Sequence, residues 1–363
     1  MIEWYNKNIK LLNCSWGLTK KKASDPDFVT YSELAYKIDY ITRKYGIVVF
    51  KSTGNDHEKF KPYFRAAGLA FNTISVGSTS ANGHRLSAFS DYEKLQTYRM
   101  TKEAPKPLLV APGETYIYKG RYFDGTSFAT PLVTGTASLL MREYNKKLEH
   151  KPAAMMAVLA ASSDDRYDGT RNNNGLKYET GAGLLNYNAA RSAANNVVNL
   201  EVENNLEVGK SLYVSNAFTV LKGQTISMGT AALYNGGYVT SIDLPQLKPT
   251  KGGISSAPII GYLYLTYAYI YNNYQTNTFR SQFIDNNGKM LKMDKSIDIK
   301  NLDTYLMPVN ITAVLQKYYP TTRQWTDVSW NNTVDAEYSN IKKYEHTNLS
   351  LIHISEPTRL DVI

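Results

Sequence analysis

Gly125-Thr126-Ser127-Phe128-Ala129-Thr130-Pro131 runs into the smooth apolar segment Leu132 to Met141, which sets a serine between a glycine-bearing turn and the start of a helix. A serine in that place presents its hydroxyl at the end of the turn. Its own N–H joins the unpaired donors of the helix N-terminus, which attract a developing negative charge. Pro131 is expected in the first helical turn, where a missing N–H costs nothing. A serine at a helix start has another use, as an N-cap whose oxygen accepts from the backbone. The pattern S-x-x-x-P alone does not separate the two.

The full heptad is more specific, and it resembles the nucleophile motif of the subtilisin-like serine endopeptidases, the subtilases. Working outward, Ile47 to Phe50 reads as a buried strand that stops at Lys51-Ser52-Thr53-Gly54-Asn55, so Asn55 sits in a loop off the strand's carboxyl end, where α/β sheets gather their sites. Gly-Asn by itself makes a turn. The strand-Gly-Asn pattern resembles the family's oxyanion-hole segment, which implies that the Asn55 amide donates to a tetrahedral oxyanion.

Ile9 to Cys14 reads as a strand ending in Asn13-Cys14-Ser15-Trp16-Gly17, and it is similar to the family strand that pairs with extended substrate. Ser15, Trp16, Gly17 and Gly54 are thereby implied to bind substrate. Asn72 to Gly77, Ala88 to Ser90, Leu109 to Gly113 and Thr180 to Asn186 resemble the family's connecting strands and closing turn. The resemblance extends over about residues 1 to 194. Leu132 departs from it, since many relatives carry histidine there.

A subtilisin-like site uses an aspartate, a histidine and the serine in that chain order. In the family the first two precede the strand matched here by Ile9 to Ser15, and the eight residues before that strand contain neither. Of the five histidines, His57 follows the oxyanion asparagine, His84 lies in the turn after Ala81-Asn82-Gly83, and His150 ends a helix. His346 and His353 fall far downstream. None stands where a base is needed, and each reads as a surface or turn residue. Loss of the base alone costs about 10⁶ in turnover, a magnitude measured on a subtilisin. The chain as written is therefore expected to hydrolyse peptides barely, either as a fragment of an active protease or as a protein that has kept only binding. Leu351 to Ile363 resembles translated adapter sequence and is set apart as a non-native tail.

Composition narrows the remaining classes. Of 363 residues, 43% are hydrophobic, enough for a substantial core. The formal charge is +9, but Lys and Arg are dispersed without a basic block, which argues against nucleic-acid binding. One cysteine forbids an internal disulfide, and Cys14 reads as a small buried hydrophobe. Ala257 to Tyr271 contains Pro258, Gly261 and five tyrosines, too short and polar to span a bilayer.

The expected architecture is α/β: a three-layer, parallel-sheet, N-terminally truncated peptidase domain over 1–197, then a jelly-roll-like β-sandwich over 198–350. Thr30 and Glu33 make a capping box for a helix carrying Leu34, Ile38, Ile41 and Tyr45 and ending at Gly46. The nucleophile helix is expected from Ser127 to about Tyr144. Another begins near Pro152, with Met155, Met156, Val158 and Leu159 in the core. Asp164, Asp165 and Asp168 cluster with Gly169 and Asn172 to Asn174; they could hold a structural calcium, yet the spacing is irregular and a solvated loop is the expectation, with no cofactor. Beyond 198, short segments such as Ser211 to Val214, Ala217 to Leu221, Thr225 to Met228, Gly261 to Tyr271, Asn310 to Leu315 and Thr326 to Trp330 read as strands.

The resemblance implies an extracellular or cell-surface serine endopeptidase acting on polypeptide. The alternative is an inactive pseudoprotease serving as a peptide-binding or adhesion module. A carbohydrate-binding β-sandwich, resting on the tyrosines near 262 to 271, is the third reading.

Overall fold

Val48, Val49, Phe50, Ile74 and Val76 have no polar side to offer water, and strands built from such runs must be covered on both faces. A computed structural model of the chain describes residues 9–17, 33–56, 70–92, 106–171, 175–199, 225–231, 233, 282–284, 290–292, 315–319, 322–328 and 341–347. In it, β1 (Leu11–Cys14), β2 (Val48–Ser52), β3 (Thr73–Thr79) and β4 (Leu109–Pro112) form one parallel sheet in that spatial order. Every residue of β2 and β3 is buried. Helix α1 (Glu33–Tyr45) packs on β2 and β3, and α2 (Thr126–Glu143) reaches all four strands. Beyond β4 the segment Gly183 to Leu185 continues the parallel pairing through Val110. The expected α/β fold with a parallel sheet is present. Thr30, half of the capping box, lies outside the described residues.

The helix expected from Ser127 begins one residue earlier, at Thr126. Gly125 is its N-cap with no side-chain cap, so the N-cap use of Ser127 is excluded and Ser127 becomes the second helical residue. Pro131 is accordingly the sixth residue, in the second turn, and the expectation of the first turn is corrected. At that place its missing N–H leaves the Ser127 carbonyl without the usual intrahelical donor.

A short α3 (Asn145–Leu148) leads to α4 (Pro152–Ser162), which is apolar nearly all round and buried at eight of its positions, Met155, Met156, Val158 and Leu159 among them. The turn ending at Asn186 caps α5 (Tyr187–Asn196) by accepting from Ala189 N. The two-stranded hairpin β5 (Tyr116–Tyr118) and β6 (Arg121–Phe123) connects β4 to α2.

Past residue 198 the described strands pair antiparallel in twos: β7 (Thr225–Ala231) with β12 (Ile341–Thr347), β8 (Gln282–Ile284) with β9 (Met290–Lys292), and β10 (Leu315–Tyr319) with β11 (Gln324–Val328). Three of these meet the expected segments at Thr225, Leu315 and Thr326. The strands expected at Ser211 to Val214, Ala217 to Leu221 and Gly261 to Tyr271, and the tail Leu351 to Ile363, lie outside the described residues, as does most of the expected sandwich. β7 and β12 both pack on α4, and Ile341 joins the same apolar core as β2, β3 and α2.

Candidate active site

Three strand ends converge because a parallel sheet points all its carboxyl ends one way. β1 delivers Ser15, Trp16 and Gly17; β2 delivers Thr53, Gly54 and Asn55; the chain leaving β4 returns through the β5–β6 hairpin to Gly125 and Ser127. The hairpin is seated by its aromatic side chains: Tyr116 stacks on Phe128, ring centroids 5.0 Å apart, and Phe123 lies 6.1 Å from the same ring. Gly125 N donates to Gly113 O at 2.8 Å, which closes the loop at the foot of α2.

The Ser127 hydroxyl donates to the Ser15 carbonyl at 2.9 Å. Asn55 Oδ1 accepts from Thr126 N and from Thr126 Oγ1, each at 2.9 Å, and Thr126 Oγ1 in turn accepts from Gly54 N at 3.2 Å. A backbone N–H can only donate, so the atom facing it must be the oxygen and the Asn55 Nδ2 is turned to the other side. Among the described residues neither Asn55 Nδ2 nor Ser127 N donates to a protein acceptor. Two such donors are what a tetrahedral oxyanion needs.

Gly125 has φ 155°, a backbone region rarely adopted by other residues, and a Cβ there would lie 3.1 Å from Asn55 Nδ2. The loop is braced from below by buried Asp91, whose N–H donates to Gly54 O at 3.1 Å and whose Oδ1 accepts from Asp56 N at 3.1 Å.

These groups surround a cavity of about 170 Å³ lined by Trp16, Gly17, the run Lys51 to Asp56, Thr126 and Ser127. Asn55, Gly54, Trp16, Gly17 and Ser127 are thus brought to one place, with Ser15 touching the Ser127 hydroxyl. Thr126, Asp91 and Lys51 were not singled out from the sequence. Thr126 carried a signal, as the residue between the glycine and the serine of the motif, whereas Asp91 and Lys51 carried none.

Among the described residues no histidine lines this cavity. His84 is exposed in its turn, its N–H on Asn82 Oδ1, and His150 Nδ1 sits 3.2 Å from Tyr45 O. His57 and His353 lie outside the described residues, as does the side chain of His346. Burial pushes the Cys14 thiol up, which Lys51 only partly offsets, in keeping with a small buried hydrophobe.

Two of the three aspartates considered as calcium ligands meet cations: Asp164 pairs with Arg166, and Asp165 with Arg171 and with Lys177, the last at 2.5 Å. Among the described residues no group of three or more His, Cys, Asp or Glu gathers as a metal site would. Nor is any helix among them long and apolar enough to cross a membrane.

Among solved structures, the chain is similar to the prenylagaramide maturation protease PagA, at 22% identity over 53% of this chain and 65% of that one, with a TM-score of 0.38. It is also similar to the patellamide maturation protease PatA, at 23% identity over 53% and 66%, and to the self-cleaved protease domain of PatA, at 22% over 53% and 65%, both with a TM-score of 0.38. The chain therefore spans just under two thirds of the length of these structures. No curated protein matches it. The model of the subtilase family matches residues 1–183, half of the chain and every strand and loop end that builds the cavity. The chain belongs to the subtilase family.

Proposed function

We propose that this chain carries the nucleophile and oxyanion half of a subtilisin-like serine endopeptidase acting on polypeptide. The observation that carries the reading is the convergence of Ser127 and Asn55 on one cavity, the Asn55 amide oriented by Thr126. Ser127 attacks the scissile carbonyl, Asn55 Nδ2 and Ser127 N hold the oxyanion, and the peptide runs beside Ser15 to Gly17 and Gly54. Collapse of the tetrahedral species expels the amine with the proton taken from Ser127. The base and its aspartate would come from sequence upstream of Met1, the chain being a piece of a longer extracellular or cell-surface protein whose residues 198–350 form an accessory β-sandwich, with no cofactor needed.

A long read through the source locus, followed by expression of the extended chain, tests this. Labelling of Ser127 by a fluorophosphonate and hydrolysis of unfolded protein, both lost in Ser127→Ala, are the expected results; an extended chain with both residues present and neither reaction would overturn it.

One observation favours a second reading, a peptide-binding pseudoprotease: the cavity holds the oxyanion groups and, among the described residues, no histidine. It requires an in-frame stop just before Met1 and peptide affinity that survives Ser127→Ala without turnover.

A further inference from the structure

The cavity beside Ser127 contains a charge that peptide hydrolysis does not use. Lys51 is the fourth residue of β2, in a strand otherwise made of Val, Phe and Ser, and it is only 2% exposed. A buried lysine costs several kcal/mol of desolvation unless polar partners receive it. Its Nζ donates to Ser52 O at 2.8 Å and to Ser52 Oγ at 3.1 Å, and it lies 5.7 Å from the centre of the Trp16 ring. Ser52 and Trp16 both line the cavity, so the ammonium is held in its wall. Asp56, the other charged lining residue, is only half-buried, which leaves Lys51 as the deep charge and Asp56 as the outer one.

The same geometry says which part of a ligand meets that wall. The carbonyl oxygen that reaches Asn55 and Ser127 N belongs to the residue on the acyl side of the scissile bond. Its Cα is one bond from the attacked carbon, which brings its side chain beside the cavity lined by Ser127, Asn55 and Lys51. About 170 Å³ holds one side chain.

Resting on the peptide-cleft reading above, we propose that this cavity selects an acidic side chain, glutamate or aspartate, at the residue preceding the cleaved bond, with Lys51 as the specificity-determining cation. A carboxylate there forms a charge-assisted hydrogen bond inside a low-dielectric wall, where an amide of equal size cannot match it.

Binding separates the preference from catalysis. Fluorescent tetrapeptide amides that differ only in a terminal Glu, Gln, Leu or Lys are titrated by polarisation against the full chain, against Lys51→Met and against Lys51→Arg. Glu is expected to bind about tenfold or more tighter than Gln to the parent chain. Lys51→Met should remove that ratio while the Leu peptide still binds, which shows the variant to be folded, and Lys51→Arg should keep part of it. Equal binding of Glu and Gln, or a ratio that persists in Lys51→Met, overturns the acid preference and leaves the cleft standing. Failure of every peptide to bind overturns the cleft reading and the preference with it.

Discussion

Asn55 is the clearest case of a side chain whose orientation is set by its neighbour. Its oxygen is held by Thr126 N and Thr126 Oγ1, which orients the amide as a donor over Gly125 before any substrate arrives. In a chain that hydrolyses peptide, Asn55→Ala should lower kcat by about 10² to 10³, the range measured for such a donor in another subtilase, with little change in KM. Thr126→Val removes the hydroxyl that bonds Asn55 and Gly54 and keeps the shape. It should lower kcat by about tenfold at constant KM, with recovery in Thr126→Ser; a KM effect of the same size would mean that Thr126 serves binding instead. Asn55 and Ser127 were legible in the sequence because short motifs name them. Thr126 was legible only as part of such a motif, and Lys51 was hidden because one lysine in an apolar run looks like any surface residue until the cavity is seen.

Helix α4 shows the same division among elements. Its apolar character all round is enough to mark it as buried. What covers it comes from far along the chain, since β7 and β12 lie on it and Gly229 approaches so closely that a Cβ would fall 2.2 Å from Ala157 O. Lys343 of β12 fixes this arrangement. Its buried Nζ donates to Ser163 O at 2.8 Å and Ala182 O at 2.9 Å and faces Glu345 at 3.2 Å, while burial pushes its ammonium pKa down. Ala182 lies in the turn that carries Gly183 to the edge of β4. Lys343→Met leaves both carbonyls without that donor, and stability should fall by about 3 kcal/mol. Urea unfolding measures it, and faster amide exchange at Ala182 and Asp164 should accompany it; an unchanged midpoint would mean that the strand pair is only loosely attached. Sequence pattern placed a strand at Thr225 to Met228 but none near 341, and it had no means to pair two segments so far apart, because partners that distant share no local signal.

At the scale of the whole molecule, Lys106 ties α1, β3 and β4 together from inside. Its Nζ donates to Ala70 O at 2.7 Å and Thr73 O at 3.2 Å, next to Asp39, which accepts from Phe71 N and Asn72 N. Burial lowers its pKa to about 8, against the opposing pull of Asp39. Between pH 8 and its ordinary value near 10.5 the unfolded chain binds more protons than the folded one, so this lysine's contribution to stability rises with pH across that window. The unfolding free energy of the parent relative to Lys106→Met should climb by about 3 kcal/mol from pH 8 to pH 10.5, read by urea titration at several pH values; a flat difference would mean that the ammonium is not held in a dry site.

Contiguous residues were enough to read the α/β class and to mark Ser127 and Asn55 as candidates for nucleophile and oxyanion donor, because their spacing and chemistry can be read directly. Folding added that Gly125, not Ser127, caps the helix, that Thr126 orients Asn55, that Lys51 lies in the cavity wall, and that strands more than sixty residues past α4 cover that helix. Those outcomes depend on which surfaces meet when the chain closes, and burial turns a lysine that would be a solvated charge in an open chain into a charge that must find its partners inside.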